Sequence, residues 1–571
     1  MHCSSFFPRA ALSLFFVPAL IALLVTGCGE SGSAVGPGGS GGAGGSNRFE
    51  PIREATPMPR QTPEELGIEP FVGEVLAPNP IAAKNIPAHP LLNNDGDSRI
   101  HNDHYNSGAY DRPGPTAPTL DITTHRLGDL VGICATMTIL RSGYVLGSCF
   151  IGNAEASIDV TLVMFDNENL DIVAERVIGP RPFIPNAAGG AYFTLDKDEN
   201  IIIGPPNNLQ QYHIEVTDGA PEFVQDASID MSSHIRENAL LQDSILDYEG
   251  RLWFMATTGE VGYVNLETEA VKIVDLANDL DDCPLANDDG TEILQNSIAI
   301  DQDAVYMVTC AALYRISADA DGEVQVDWRA PYDSGTTIGG ILPGSGTSPT
   351  LLGIEDDLVT ICDNADSQIN LLVIDRASGM EVCKQPLFRP GESATENSSI
   401  GHGDDLVVAN NGGFGGPFAP ANTMFPGLER YRVVRDGDGN PTGCEQVWQN
   451  DTAIINSNQL ATESGVIWGY GADPDVEDAI QPHRRPGAHA PRRRALPRLP
   501  GRRHPHARRF RVTLVGDMQL LSSPESDQLH DVGLRKERPF NPIAGQVHMH
   551  PDGALYLGSL GGVILMRDVS E

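Results

Sequence analysis

Asp243, Asn296, Asn397 and Asn458 each stand just before or at the start of a short apolar run, and Glu396 is beside one of them. Brought to one point, their carboxylate and amide oxygens make the kind of donor set that Ca²⁺ takes, about six to eight oxygens at a time. The same residues have a simpler use. An Asp or Asn before Ser caps the turn into a strand and satisfies local backbone groups. His548 and His550 alternate along one run and so share a face, a spacing that binds metal when a third ligand joins it. No third ligand is evident in sequence. No His falls in the same frame as this ring, so a general base for hydrolysis is missing. There is no CxxC, HExxH or GxxxxGK[ST].

Two acidic phrases add oxygens. Asp363-Asn364-Ala365-Asp366 follows a strand-like run and reads as a ligand-bearing loop or a solvated turn. Asp436-Gly437-Asp438-Gly439-Asn440 has the spacing of a calcium loop but lacks the distal bidentate Glu, so a hairpin turn is the better reading. The glycine-rich matches Gly36-Pro37-Gly38-Gly39-Ser40-Gly41 and Gly38-Gly39-Ser40-Gly41-Gly42 have no strand or helix on either side, and neither is a nucleotide or nucleophile motif.

The elements that must position these residues are strands. Short Val/Ile/Leu/Tyr runs are broken by Gly, Asp and Asn, and helical periodicity is scarce. One phrase recurs: a polar residue, an apolar run, a turn, a second apolar run. It starts at Thr136, Tyr192, Asp243, Asn296, Pro349, Asn397, Asn458 and Gln546, in steps of 56, 51, 53, 53, 48, 61 and 88 residues. A unit near 50 residues suits a four-stranded propeller blade whose innermost strand begins at each start. The expected fold is all-β, an eight-bladed β-propeller, with seven blades or two β-sandwiches as alternatives. The frame aims Asp243, Asn296, Asn397 and Asn458 at one mouth of a central channel.

Some units carry a further phrase. Leu313-Tyr314-Arg315-Ile316 runs through Gly322-Glu323 to Trp328, and Leu371 runs to Gly379 and Cys383. This grammar resembles the repeat of pyrroloquinoline-quinone-type (quinoprotein-like) propellers over residues 125–570, and the resemblance implies eight blades. It does not carry the activity. Those alcohol dehydrogenases set an adjacent Cys-Cys pair against the quinone and a Trp in nearly every blade. This chain has no Cys-Cys, and its four Trp are Trp253, Trp328, Trp448 and Trp468. No pyrroloquinoline quinone is expected. The phrases His101-Asn102-Asp103-His104-Tyr105-Asn106, Gly344 to Thr350, Asp363 to Asp366 and Glu396-Asn397-Ser398 are similar to those of uncharacterised secreted bacterial propeller proteins. That likeness adds fold and no chemistry. Propeller lactonases use a channel Ca²⁺, so a lactonase-like hydrolase is the enzymatic alternative the ring implies.

The N-terminus gives an address. Arg9 precedes an apolar run from Ala10 to Val25 that is too short to span a bilayer and ends in Val25-Thr26-Gly27-Cys28. This looks like a bacterial lipobox, which implies cleavage before Cys28 and lipid on its sulfur. Residues 1–27 are then a lipoprotein signal peptide, 28–50 a Gly/Ser-rich tether, 51–124 an N-terminal extension and 125–571 the propeller. The expected place is the bacterial cell envelope, held to the membrane through lipid alone. Oxidising conditions there permit disulfides. Cys134 with Cys149 would bracket a hairpin, and Cys283 with Cys310 and Cys383 with Cys444 are further pairings. Without Cys3 and Cys28 the count is seven, so one thiol stays over.

Charge excludes one class of partner. Across 571 residues, 77 acids face 38 bases for a net of −39, which repels nucleic acid. Residues 481–511 break the pattern with eleven Arg, six Pro, four His and no acid. The anomalous stretch 479–511 reads as a polyanion-binding insert, a solvated loop or a shifted reading frame, and it falls where the seventh blade needs its outer strands. The reading that results is a lipid-anchored binding or scaffold module for an envelope protein or polysaccharide, with the calcium-dependent hydrolase as alternative.

Overall fold

The computed structural model describes residues 78–94, 98–116, 120–127, 132–152, 158–181, 189–237, 239–276, 292–294, 296–335, 344–414, 424–450, 458–472, 510–517, 546–559 and 562–568. The signal, Cys28, the tether, Cys283 and most of the Arg/Pro-rich stretch lie outside them.

Eight four-stranded sheets follow one another along the chain. Their innermost strands in blades 1 to 8 are Gly132–Ile139, Phe193–Leu195, Leu241–Leu246, Ala299–Ile300, Thr350–Leu352, Ile400–His402, Gln459–Ala461 and Val547–Met549. Six of the eight repeat starts fall one to three residues before one of these, and Thr136 and Asp243 fall within theirs. The protein is an all-β, eight-bladed β-propeller.

Local chemistry explains the strands. Leu252-Trp253-Phe254-Met255-Ala256 is buried throughout, because a blade packs a neighbour against each face. One cluster joins blades 2, 3 and 4 through Leu209, Trp253, Tyr263 and Tyr314. Another joins blades 8 and 1 through Tyr556, Leu565, Met137 and Phe165. At that seam a Cβ on Gly558 would overlap the Cys134 carbonyl, so the close approach requires glycine. Turns consume much of the excess acid. Asp247 accepts the amides of Glu249 and Arg251 at 2.9 Å each, and Asp301, Asp319 and Asp436 repeat the arrangement. The Asp436–Asn440 phrase is therefore a hairpin turn. Asp363 likewise closes its own loop, accepting from Ala365 and Asn370.

The ring closes with strands from both ends of the chain. Leu120–Arg126 pairs antiparallel with Gly562–Asp568, from Leu120 opposite Asp568 to Arg126 opposite Gly562. Closure removes an exposed edge. The outer strand of blade 8 thus crosses the boundary expected at residues 124 and 125, because a closed ring needs an N-terminal strand beside the C-terminal ones. Blade 7 is built from Gln459–Ala461, Val466–Ala472 and Phe510–Asp517, with Ala109–Tyr110 added in parallel on its inner edge. Phe510 and Arg511, at the end of the Arg/Pro-rich stretch, belong to a strand.

The two faces of the ring differ. Strand alternation puts the tight Asp-based hairpins on one face. The long connections, Asp275 to Ala299, Pro331 to Thr350, Ala409 to Leu428 and Ala472 to Phe510, leave from the other.

Two disulfides are described in full. Cys134–Cys149 joins neighbouring strands of blade 1, and Cys383–Cys444 joins the outer strands of blades 5 and 6 with Cα atoms 5.9 Å apart. Cys310 is disulfide-bonded too, and Cys362 is a buried free thiol.

Candidate functional site: the plugged channel

Innermost strands of two or three residues leave backbone groups facing the channel, and those groups need partners. The N-terminal extension supplies them. Residues 79–94 cross the hairpin face as a strap. Asn79 and Ile81 donate to the carbonyls of Ser464 and Thr462, His402 meets the Ala82 carbonyl at 2.8 Å, and Lys197 donates to that of Leu91. The chain then enters the channel. The amides of Leu195, Ile300, Leu351, Gly401 and Leu460 donate to the carbonyls of Ser98, His104, Tyr105, Ser107 and Gly108 at 2.7–2.9 Å. Arg112 reaches the Met549 carbonyl. Residues 98–112 thus form a plug bonded to blades 2 and 4 through 8, and Arg99 adds blade 3.

The plug's own sequence dictates its shape. Asn102 and Asn106 adopt left-handed φ values of 69° and 54°, which Asn tolerates better than most residues. Asn106 Nδ2 donates to the carbonyls of Ile298 and Pro349 at 3.1 and 3.0 Å, bridging blades 4 and 5. Asp103 accepts the amides of Tyr105 and Ser107, the Ser107 hydroxyl at 2.6 Å and Lys84 Nζ at 2.9 Å. Burial works against its charge, yet Lys84 and Ser107 hold the carboxyl below the ordinary range.

At the loop-face end, Arg99 is 1% exposed and its Nη2 bonds Asp243 Oδ2 and Ser297 Oγ. Asp243 also accepts the Ser297 hydroxyl at 2.9 Å and the amides of Ile298 and Ser244 at 2.8 Å. Burial pushes both groups toward neutrality, raising the carboxyl and lowering the guanidinium, and their contact opposes it. A guanidinium keeps its proton, so the pair is ionic. His101 accepts from Gln546 Nε2 at Nδ1, which leaves its Nε2–H for Ser348 Oγ at 2.9 Å and Ser398 Oγ at 3.3 Å. Burial pushes its pKa down to about 3. His548 takes the Met137 amide at Nε2 and is pushed down to about 3 as well. Near the other mouth, His104 meets Tyr248 and is held at about 3, and His89 at about 4.

The expected ring residues stand at the loop-face ends of inner strands or just before them, with no partner in common. Asp243 is on Arg99. Asn296 is half-buried and donates to the carbonyls of Ser345 and Thr347 at 3.1 and 3.4 Å. The Asn397 amide nitrogen of the backbone donates to Thr395 Oγ1. Asn458 is buried, and Glu396 is half-buried at the mouth. Among the described residues, no three His, Cys, Asp or Glu side chains group as a metal site. His548 and His550 part company: His550 Nδ1 pairs with Asp552 at 2.7 Å. Reading by repeats missed Arg99, His101 and His104, because they lie outside every repeat. The dense polar phrase from His101 to Asn106 was the available signal.

No protein-family model and no curated protein matches the chain. Among solved structures, BamB from Moraxella catarrhalis is 10% identical with a TM-score of 0.33, covering 64% of this chain and 93% of that one. The β-propeller domain of Cps50 (Swd1) from Myceliophteria thermophila is 9% identical with a TM-score of 0.35, covering 79% and 100%. Hydrazine synthase from Kuenenia stuttgartiensis is 12% identical with a TM-score of 0.37, covering 68% and 98%. Likeness at this level carries no argument about what this chain does.

Proposed function

We propose that this propeller is a binding or scaffold module of the bacterial cell envelope, lipid-anchored at Cys28, whose working surface is the loop face. One observation carries the reading: the chain's own residues 98–112 occupy the channel and take up the inner strand edges. The surface left for a partner is the face with the long connections, and binding residues concentrate on such loops over a rigid scaffold. The lipobox and the tether support the address. The partner is an envelope protein or a polysaccharide, and a net charge of −39 argues against nucleic acid.

A calcium-dependent, lactonase-like hydrolase ranks second. It would need free ring oxygens and a general base. Asp243 already carries a cation in Arg99, and both nitrogens of His101 are engaged. On our reading, chelator leaves the melting temperature unchanged.

A photoreactive residue at Arg389, exposed on the loop face, should crosslink one envelope component in living cells, while one at Asp438 on the hairpin face should not. Equal labelling from both faces, or labelling from Asp438 alone, would overturn the reading.

A further inference from the structure

Six side chains at the loop-face end of the channel hold buried polar atoms that no neighbour answers. They are Nε and Nη1 of Arg99, Oε1 of Gln242 and of Gln546, Nδ2 of Asn397, Oδ1 of Asn458, and both amide atoms of Gln459. None of these residues is more than 4% exposed. Contacts tie Arg99 and Gln546 to one region, since Arg99 meets Ser297, the Ser297 amide donates to Ser348 Oγ and Ser348 meets His101, and Gln242, Asn397, Asn458 and Gln459 stand at or just before the loop-face starts of inner strands. Gln546 meets His101, and so does Ser398, next to Asn397. Asp243, next to Gln242, meets Arg99. The region grades outward to half-buried Tyr192, Asn296 and Glu396. Unanswered polar atoms in an apolar surround are costly, so such a cluster is built to face something polar.

The chemistry of the lining decides what. Arg99 is already neutralised by Asp243, and His101 is neutral, so the buried lining brings no net charge, and the carboxylate of Glu396 stands outside it at the half-buried mouth. An anion would suit Arg99 but would face the amide carbonyls of Gln242, Gln546 and Asn458. A metal ion would suit those carbonyls but would face the guanidinium. A hydroxyl both donates and accepts, and it satisfies both kinds of lining atom. We propose that the loop-face end of the channel binds a small neutral polyhydroxylated ligand, of the chemistry of sugar hydroxyls. This deepens the binding-module reading and rests on it, with the ligand either a free sugar or the end of a polysaccharide.

Calorimetric titration of the whole protein with D-glucose, D-galactose, N-acetyl-D-glucosamine and glycerol, and with oligomers of the sugars, tests it. At least one sugar should bind saturably; a preference for the oligomer identifies a polysaccharide end. Gln459→Met and Gln546→Met each remove a buried amide and should weaken that binding about tenfold, the equivalent of one good hydrogen bond. Gln459→Met should melt no lower than wild type, since neither of its amide atoms has a partner to lose; Gln546→Met also takes the donor from His101 Nδ1 and should melt lower while still folding. If one fails to fold, the other carries the test. Heats that never saturate, or affinities equal in wild type and variants, would overturn the proposal. Crosslinking at Arg389 does not involve these amides, so its persistence would leave the loop-face reading intact.

Discussion

Acidification should loosen the plug, and the structure sets the size of the effect. His89, His101, His104 and His548 are buried in or against the channel, with pKa values pushed from 6.5 to about 4, 3, 3 and 3. In the unfolded chain each imidazole takes a proton as pH falls below 6.5; in the folded protein it does not until pH nears 3 to 4. Between those limits the unfolded state binds more protons, so stability is full above 6.5 and declines as pH falls. One pH unit below the ordinary value, each His costs about 1.4 kcal/mol, so four cost on the order of 5 kcal/mol at about pH 5.5. The acidic surface works in the opposite direction, because partial protonation relieves its repulsion. A comparison of variants separates the two. His101→Gln with His548→Asn keeps a polar group at each place and removes two titrations. Unfolding free energies from urea curves at about pH 7.5 and about pH 5.5 should fall about 3 kcal/mol less in the double variant than in wild type. An identical fall in both proteins would mean that these histidines are not held neutral in the channel.

Three further outcomes follow from the same contacts. Asp243→Asn leaves Arg99 charged without its partner and should cost about 3–5 kcal/mol in urea unfolding, with the Arg99→Met, Asp243→Asn double variant less destabilised than the single. Breaking Cys383–Cys444, which closes a separation of 61 residues, should cost about 4 kcal/mol, seen as a lower melting temperature for Cys383→Ser. Cys28→Ser should move the protein from the membrane to the soluble fraction; equal retention would remove the lipid anchor from the account.

The blades were legible because their signal is repetitive. Trp253 and Phe254 after Asp247-Tyr248-Glu249-Gly250, or Tyr306 and Met307 after Asp301-Gln302-Asp303, state strand, turn and strand in a few residues, and the phrase recurs eight times. The starts of the inner strands, and with them the gathering of Asp243, Asn296, Glu396, Asn397 and Asn458 at one mouth, follow from that period. The plug was not legible as a buried element. Residues 98–112 have no apolar period, and a polar phrase such as His101 to Asn106 reads as solvated chain. It is buried because each polar group meets a backbone edge or side chain from a distant blade. Those partners, such as Ile298 for Asn106 and Ser348 for His101, are about 200 residues or more away. Arg99 was missed for the same reason: the sequence offered Asp243 as a metal ligand, and the cation that answers it comes from a segment 144 residues earlier.

Hydrogen exchange of residues 98–112 tests the central claim most directly. Their carbonyls hold the amides of Leu195, Ile300, Leu351, Gly401 and Leu460, and the amides of Asn102, Tyr105, Asn106 and Ser107 are bonded within the plug. The account predicts that this peptide exchanges as slowly as Leu252–Ala256 in the core of blade 3, through the same global opening. Exchange as fast as that of a free tether would contradict it, and would return the channel to solvent.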